Sequence, residues 1–443
     1  MTMILQPPWL VTTILFFNTL ISSGLSYSYS STVVSSRRRG ANNKLLRLSN
    51  NFQEDENEIA TNCPFSQKFP RYRIDLTRNS RKKKEEPFFI QQLNTWINNS
   101  QKEKKRLEFE SRHPTSRIVW LEDQDGIQAM ASLWKEVVQQ QSNDDDVIVA
   151  LPDCDGTVVL NWKELLDWIQ DNAYNDSSFV FETTILEEEE VNAVRIKCFS
   201  KGYNNIEDDD ETDTIIIIQR TKAWVKRLLV NLSICPFTKS VTKSGQGLSE
   251  YGVPVGKIAY HVSRSTTIYE LLADTWMAIH EMIEAGPGPD KKGISSILLA
   301  APHFDNDFDL WSGPIFSLLE QTVVAAQAEP QVGVVCFHPL YATPDGTTWP
   351  GFGQMHSVRR LQRFIQQVDK KESEYSSSDI AAGGAWQRRT PHATINVLRA
   401  DQLALAESQR NTPKLYTRNI KVLLDIGNDQ LSDNLEQEQN MGK

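Results

Sequence analysis

No Cys-x-x-Cys pair occurs in this 443-residue sequence, and its five cysteines, Cys63, Cys154, Cys198, Cys235 and Cys336, are odd in number and widely spaced. That spacing argues against a disulfide framework and against a thiolate zinc cluster, so reduced thiols in a non-secretory compartment are expected. An excess of basic charge is also missing. Lys and Arg number 47 against 57 Asp and Glu, a net charge of −10, which removes the cationic face that sequence-independent nucleic-acid binding needs. The acidic residues concentrate at 144–146, 187–190 and 207–213, which read as solvated loops. Calcium loops fail as well. In Asp123-Gln124-Asp125-Gly126 and Asp153-Cys154-Asp155-Gly156 the glycine sets the frame, and the bidentate Glu that should close the loop falls on Ser132 or Trp162. Both fragments read as Asp-Gly turns.

The chain opens on a leader. Trp9 to Ile21 is mostly apolar and of signal-peptide length, too short for a comfortable membrane span, with Gly24 and Ser26 as small residues before a cleavage point at Tyr27. No Lys or Arg precedes it. Residues 27–51 are rich in Ser, carry Arg37-Arg38-Arg39, Lys44 and Arg47, and contain no acidic residue, which is transit-peptide composition. A signal-like segment at 1–26 followed by a transit-like segment is similar to the bipartite leader of nuclear-encoded plastid proteins. Plastid delivery is expected, with the secretory pathway as the alternative and no stable membrane association once the leader is removed.

Two globular parts follow, and the length suffices for a core in each. Residues 52–205 read as an accessory mixed α/β domain that could bind a protein partner. Helices are expected at Phe88–Phe109, Ile127–Gln141 and Trp162–Asp171, and strands at Val147–Leu151, Val180–Leu186 and Ala193–Phe199. An acidic linker is placed at 206–213. The second part, 214–426, alternates more regularly. A helix at Thr214–Leu232 leads in, and strands at Gly256–Val262, Ile294–Ala301 and Val332–Phe337 alternate with helices at Thr267–Ala285 and Leu310–Ala328. This order predicts an α/β fold, a βαβαβ-type core with a mostly parallel small sheet and both crossover helices on one face. Helices at Pro391–Gln409 and Thr412–Leu424 are expected on the other face, with a disordered tail at 427–443.

Two runs carry the reactive groups. Ile234-Cys235-Pro236-Phe237 and Phe337-His338-Pro339-Leu340-Tyr341 each set a thiol or imidazole just before a proline, which ends the preceding element and leaves the group at its exit. In open α/β sheets, ligands bind beyond the carboxyl ends of the strands, which here carry Ser263-Arg264, Pro302–Asp305 and His338–Tyr341. Cys235 is the candidate nucleophile, His338 its candidate base, and Lys239 an electrostatic helper. The competing reading is a buried, inert cysteine. Cys336 lies inside a strand and reads as core. A metal held by Cys235, His303 and His338 ranks lower because no short ligand spacing supports it. Arg388-Arg389-Thr390-Pro391-His392 reads as a helix start, with Thr390 as N-cap and Pro391 at the first turn, so Arg388 and Arg389 would flank an anion-binding helix terminus. A capped helix with solvated arginines is the plainer alternative. His392, His261, His280 and His356 stand alone and read as packing or surface.

Together these runs resemble the family of bacterial and plastid-containing eukaryotic proteins named domain of unknown function 1415, over about 214–426. The resemblance rests on Trp224 with Ile234-Cys235-Pro236-Phe237, Ser296-Ile297-Leu298-Leu299 with Pro302 and Asp307-Phe308, and Phe337–Tyr341. It continues in Arg388–His392 with Leu398-Arg399, and in Arg418-Asn419-Ile420. It implies that Cys235, His338 and Arg389 match the family's motif residues. Arg388 stands where the family has Asn and His392 where it has Tyr, His303 falls where another residue is usual, and the insertion at 370–384 is larger than the family's. It implies no substrate and no cofactor.

The expected function is therefore an α/β protein, read as an enzyme, acting on a small anionic molecule. Cys235 and His338 would be the nucleophile and acid–base pair, and Arg389 the anion anchor, with Arg388, Lys239, Tyr341 and Arg264 around it. The rival is a non-catalytic binding or scaffold protein in which Cys-Pro-Phe and Phe-His-Pro are structural corners.

Overall fold

A computed structural model describes residues 101–121, 126–139, 147–152, 162, 165, 179–188, 191–200, 211–246, 255–286, 293–345, 356–369, 375–402, 404 and 412–442. The leader segments 1–26 and 27–51, the linker up to residue 210 and most of the helices expected at Phe88–Phe109 and Trp162–Asp171 lie outside them. So do 123–125 and 153–156 of the two Asp-Gly turns. The described residues fall in one compact unit.

Its N-terminal part is a four-stranded mixed sheet of β1 (Arg117–Trp120), β2 (Val147–Leu151), β3 (Phe179–Glu188) and β4 (Val191–Ser200), ordered β1-β2-β4-β3. β1 and β2 are parallel, the other pairs antiparallel, and α1 (Gly126–Gln139) joins β1 to β2. Val-Ile-Val-Ala-Leu of β2 is buried throughout because both of its faces are covered. Ile148 and Ala150 meet Phe109 and Ala193, while Val147, Val149 and Leu151 meet the stripe Ile127, Met130 and Trp134 of α1. α1 also packs on the C-terminal part, where Trp134 stacks on Tyr269 with ring centroids 6.2 Å apart. The Trp162 indole donates to the Ala325 carbonyl at 3.0 Å. One apolar cluster therefore runs through both parts of the described chain.

The second sheet has five strands: β5 (Lys243–Ser244), β6 (Gly256–Val262), β7 (Ile294–Ala300), β8 (Val332–Phe337) and β9 (Thr394–Arg399), ordered β5-β6-β7-β9-β8. The expected strand ranges are found, but the sheet is mixed. β9 inserts between β7 and β8 and runs antiparallel to both, so β8 never touches β7. The helix expected at Pro391–Gln409 does not begin there; Thr394–Arg399 is a central strand. Ile395 and Val397 of β9 point to one face, where α3 (Ile268–Glu284) and α4 (Phe316–Ala325) pack. On the other face, Ile258, Leu298, Val335 and Phe337 meet α2 (Glu211–Trp224), its π-helical continuation Val225–Asn231, and Leu423 of α7 (Thr412–Ile426).

Local chemistry fixes the ends. Thr267 and Glu270 form a reciprocal capping box at the start of α3. A π-helical turn, Trp311–Ile315, precedes α4 and holds Pro314, whose missing N–H cannot join a regular helix ladder. Glu211 and Asp213 are first-turn residues of α2, where carboxylates offset the helix dipole; they are not linker. α5 (Val358–Asp369) and α6 (Ser377–Trp386) fill the β8–β9 connection. The expected disordered tail is instead α8 (Asn428–Gln439), with Leu431, Leu435 and Glu438 buried.

Candidate functional site

The π-helical stretch after α2 ends in Leu232-Ser233-Ile234, with Ser233 in the left-handed region at φ 52°. The carbonyls exposed by that ending are taken up by the Arg-Asn pair of α7. Arg418 donates to the carbonyls of Leu232 (3.1 Å) and Ser233 (2.9 Å), and Asn419 Nδ2 to that of Ile234 (2.9 Å). A cation at a helix C-terminus also meets the negative end of its dipole. The chain turns at Pro236, leaving the Cys235 thiol half-buried and accepting a 3.4 Å hydrogen bond from the Thr238 hydroxyl.

Asn419 Nδ2 also donates to Gln387 Oε1 at 3.1 Å, which joins the Cys235 corner to the Gln387–Thr390 segment. There Arg389 donates from Nε to the Tyr341 carbonyl at 3.1 Å and lays its guanidinium over the Trp386 ring, 4.5 Å from the centroid. Burial draws Arg389 below the ordinary arginine pKa, and no carboxylate pairs with it among the described residues. Arg388 stacks on Phe337 at 5.2 Å and donates to the Cys336 carbonyl at 3.3 Å, while its own carbonyl accepts from the His338 amide at 3.1 Å. Three of the distant runs thus meet through main-chain and amide contacts.

The imidazole does not follow. His338 has no exposed surface. Its Nε2 bonds the Phe304 carbonyl at 2.9 Å, and its Nδ1 accepts the Leu340 amide at 3.0 Å. A carbonyl can only accept, so the proton sits on Nε2 and the ring is neutral with both nitrogens committed. It packs against Phe308 and Trp311 on the α3–α4 side of the sheet, whereas Ile234, next to Cys235, packs on the α2 side. The expected Cys235–His338 pair therefore does not form, because alternation along β8 turns His338 away from the thiol. A Cys235–His303–His338 metal site fails with it; among the described residues no cluster of three metal-ligating side chains exists.

Burial holds His338 below the ordinary imidazole pKa, against smaller upward pulls from the Phe304 carbonyl, Asp305 and Asp307. Between that depressed value and about pH 6.5 the unfolded chain binds a proton that the folded chain refuses. The stability His338 contributes is thus present above about pH 6.5 and lost as pH falls, by at most about 1.4 kcal/mol per pH unit. Urea unfolding at pH 7.5 and 5.5 should show a smaller acid loss in His338→Gln than in the parent.

The other expected site residues divide. Tyr341 is buried against Phe308 and lends only its carbonyl to Arg389. Arg264 is spent on Asp213 (2.7 Å) and Thr214 (2.9 Å), tying the exit of β6 to the start of α2. Lys239 and His303 are exposed. Cys336 is fully buried and burial pushes its thiol up to about 12, so it is core as expected. The helix-terminus part of the anion reading is overturned: Thr390 caps nothing, its hydroxyl donating to the His392 carbonyl at 2.6 Å.

Sequence reasoning set His392 aside. It is 6% exposed, its Nδ1 lies 2.8 Å from Asp305 Oδ2, and its Nε2 lies 3.4 Å from an Arg220 terminal nitrogen. Asp305 falls on the strand-end rim expected from the sequence, but nothing in the sequence links residues 87 positions apart.

With this geometry in view, residues 216–349 match the family described as "Protein of unknown function (DUF1415)". That stretch is similar to DUF1415. The matched stretch contains Cys235 and His338 and ends before Arg389, Arg418 and Asn419. In the structure β9, beyond the matched stretch, lies between β7 and β8, and Arg418 and Asn419 cap the helix that leads to Cys235. No curated protein and no solved structure matched the chain.

Proposed function

We propose that the protein binds a small anionic molecule at Arg389, in the segment that Asn419 and Gln387 link to the Cys235 corner. One observation carries this reading. Arg389 is a half-buried guanidinium, stacked on Trp386, with one donor spent on a carbonyl and no carboxylate partner among the described residues. Removing a cation from water without a counter-charge is costly, and a bound carboxylate or phosphate offsets that cost through the remaining donors. Any covalent chemistry belongs to Cys235 acting without His338.

A ligand that binds only the folded chain raises stability by RT ln(1 + [L]/Kd), about 2.7 kcal/mol at a hundred times Kd. Inorganic phosphate, titrated at constant ionic strength, is therefore expected to raise the melting temperature of the parent and not of Arg389→Gln. Equal stabilisation of both chains would remove Arg389 as the anchor.

A second reading, a non-catalytic binding or scaffold protein, is favoured by His338. Its neutral, doubly bonded ring makes Phe-His-Pro a structural corner.

A further inference from the structure

We propose that His392 is the proton-transfer group of a second site, one that takes a small carboxylate- or phosphate-bearing molecule on Arg220 and is held shut by the chain's own C-terminal helix. This goes beyond the anion reading at Arg389 and uses none of its side chains.

The site is built where the C-terminal end of β7 lies beside the N-terminal end of β9, joined by the Ala301 amide and the Ala393 carbonyl at 2.8 Å. Asp305, in the turn after β7, is fixed by the Ala393 amide on Oδ1 (2.6 Å) and holds His392 Nδ1 on Oδ2 (2.8 Å). Hydroxyls of Thr390 and Thr394 both donate to the His392 carbonyl, at 2.6 and 2.8 Å, which pins the backbone carrying the ring. Arg220 can only donate, so Nε2 presents its lone pair and Nδ1 keeps its proton on Asp305. This is the arrangement a general base needs once Arg220 moves off: a set tautomer, a carboxylate that stabilises the imidazolium once formed, and a lone pair open to substrate. Arg220, like Arg389, has no carboxylate partner among the described residues.

What occupies that lone pair is controlled from α8. Arg220 Nε donates to the Met441 carbonyl at 3.0 Å, which keeps the guanidinium against His392, and Gln439 Nε2 donates to the Pro391 carbonyl at 3.2 Å. α8 is also held by Leu431, Leu435, the Trp386 indole donating to Asn428 Oδ1 at 2.8 Å beside the hinge, and the bidentate pair of Glu438 with Arg227, at 2.6 and 2.8 Å. It leaves α7 through Gly427, whose φ of 87° suits a residue without a side chain, and no heavy atom comes within 4 Å of a Cβ built there. Swinging α8 about this glycine frees Arg220 from Met441 and uncovers the imidazole. Arg220 then binds the anion. His392 Nε2 takes a proton from an O–H or C–H group of the bound molecule and returns it in the second half of the reaction, while the Nδ1 proton stays on Asp305.

Carbethoxylation of the full-length chain by diethyl pyrocarbonate, mapped by peptide mass spectrometry, tests this alongside hydrogen exchange. Leu435→Ala is expected to speed amide exchange in α8 and to raise the modification rate of His392 at least tenfold, leaving His338 unmodified. Inorganic phosphate should slow that reaction in Leu435→Ala and not when Arg220→Gln is added. Should Leu435→Ala unfold globally, Gln439→Ala, which removes only the bond to Pro391, takes its place under the same criteria. Faster exchange in α8 without faster modification of His392 overturns the proposal, as does exchange in α8 that neither variant changes. Phosphate protection that survives the loss of Arg220 overturns the anion assignment.

Discussion

Replacing His338 by alanine is expected to destabilise the protein by on the order of 3–5 kcal/mol, without any test of catalysis entering the result. The fully buried imidazole bonds the Phe304 carbonyl, which otherwise holds only the longer Asp307 amide bond at 3.4 Å, and accepts the Leu340 amide. Each buried group left unpaired costs about 1–3 kcal/mol. The hole among Phe308 and Trp311 adds a cavity term. His338→Gln retains an amide donor of nearly the right reach for Phe304 and should lose about half as much. Urea denaturation curves separate the two variants. A His338→Ala chain as stable as the parent would mean that the ring is not the corner post its bonds describe.

Gly126→Ala is expected to cost about 2–3 kcal/mol, against a normal gain of up to about 1 kcal/mol when alanine replaces glycine in a helix. A Cβ built at Gly126 runs into the Ala326 carbonyl, a backbone atom at the end of α4 that cannot rotate aside. The start of α1 is thus pressed against the end of α4, and relief requires moving one helix bodily. The same contact lies beside the Trp162–Ala325 bond, so loosening should spread through the shared apolar cluster. Thermal melts followed by tryptophan fluorescence would register the change, because Trp134 and Trp162 are both buried there.

Much of the second sheet could be read directly from residue order. β6 and β8 are short apolar runs bounded by Gly, Ser or Pro, and α3 announces itself through Thr267 and Glu270. β9 was misread for a physical reason. Thr390-Pro391 has the chemistry of a helix start, but Thr-Ile-Asn-Val-Leu-Arg gains two ladders of hydrogen bonds by lying between β7 and β8. Tertiary pairing outweighs local propensity there. The same insertion turns the Arg388–His392 segment into a strand approach, so its arginines meet Phe337 and Trp386 in place of helix amides. α8 was missed because its residues are polar and only Leu431 and Leu435 mark a buried side.

The candidate site was half legible. Asn419, bonded to the Ile234 carbonyl and to Gln387, links the Cys235 corner to the segment that carries Arg389, a connection no motif spacing gives. Which way an imidazole faces depends on strand alternation and on partners tens of residues away, Phe304 for His338 and Asp305 for His392. No spacing rule within one sequence reports those choices.

The Cys235 thiol and the His338 ring do not act together. Alkylation of Cys235 by iodoacetamide near neutral pH, in the full-length parent and in His338→Gln, tests it most directly. The rates at Cys235 are predicted to agree within about twofold where both chains remain folded. A tenfold or greater loss of Cys235 reactivity in His338→Gln, at an unchanged melting temperature, would show instead that the two groups work as a pair.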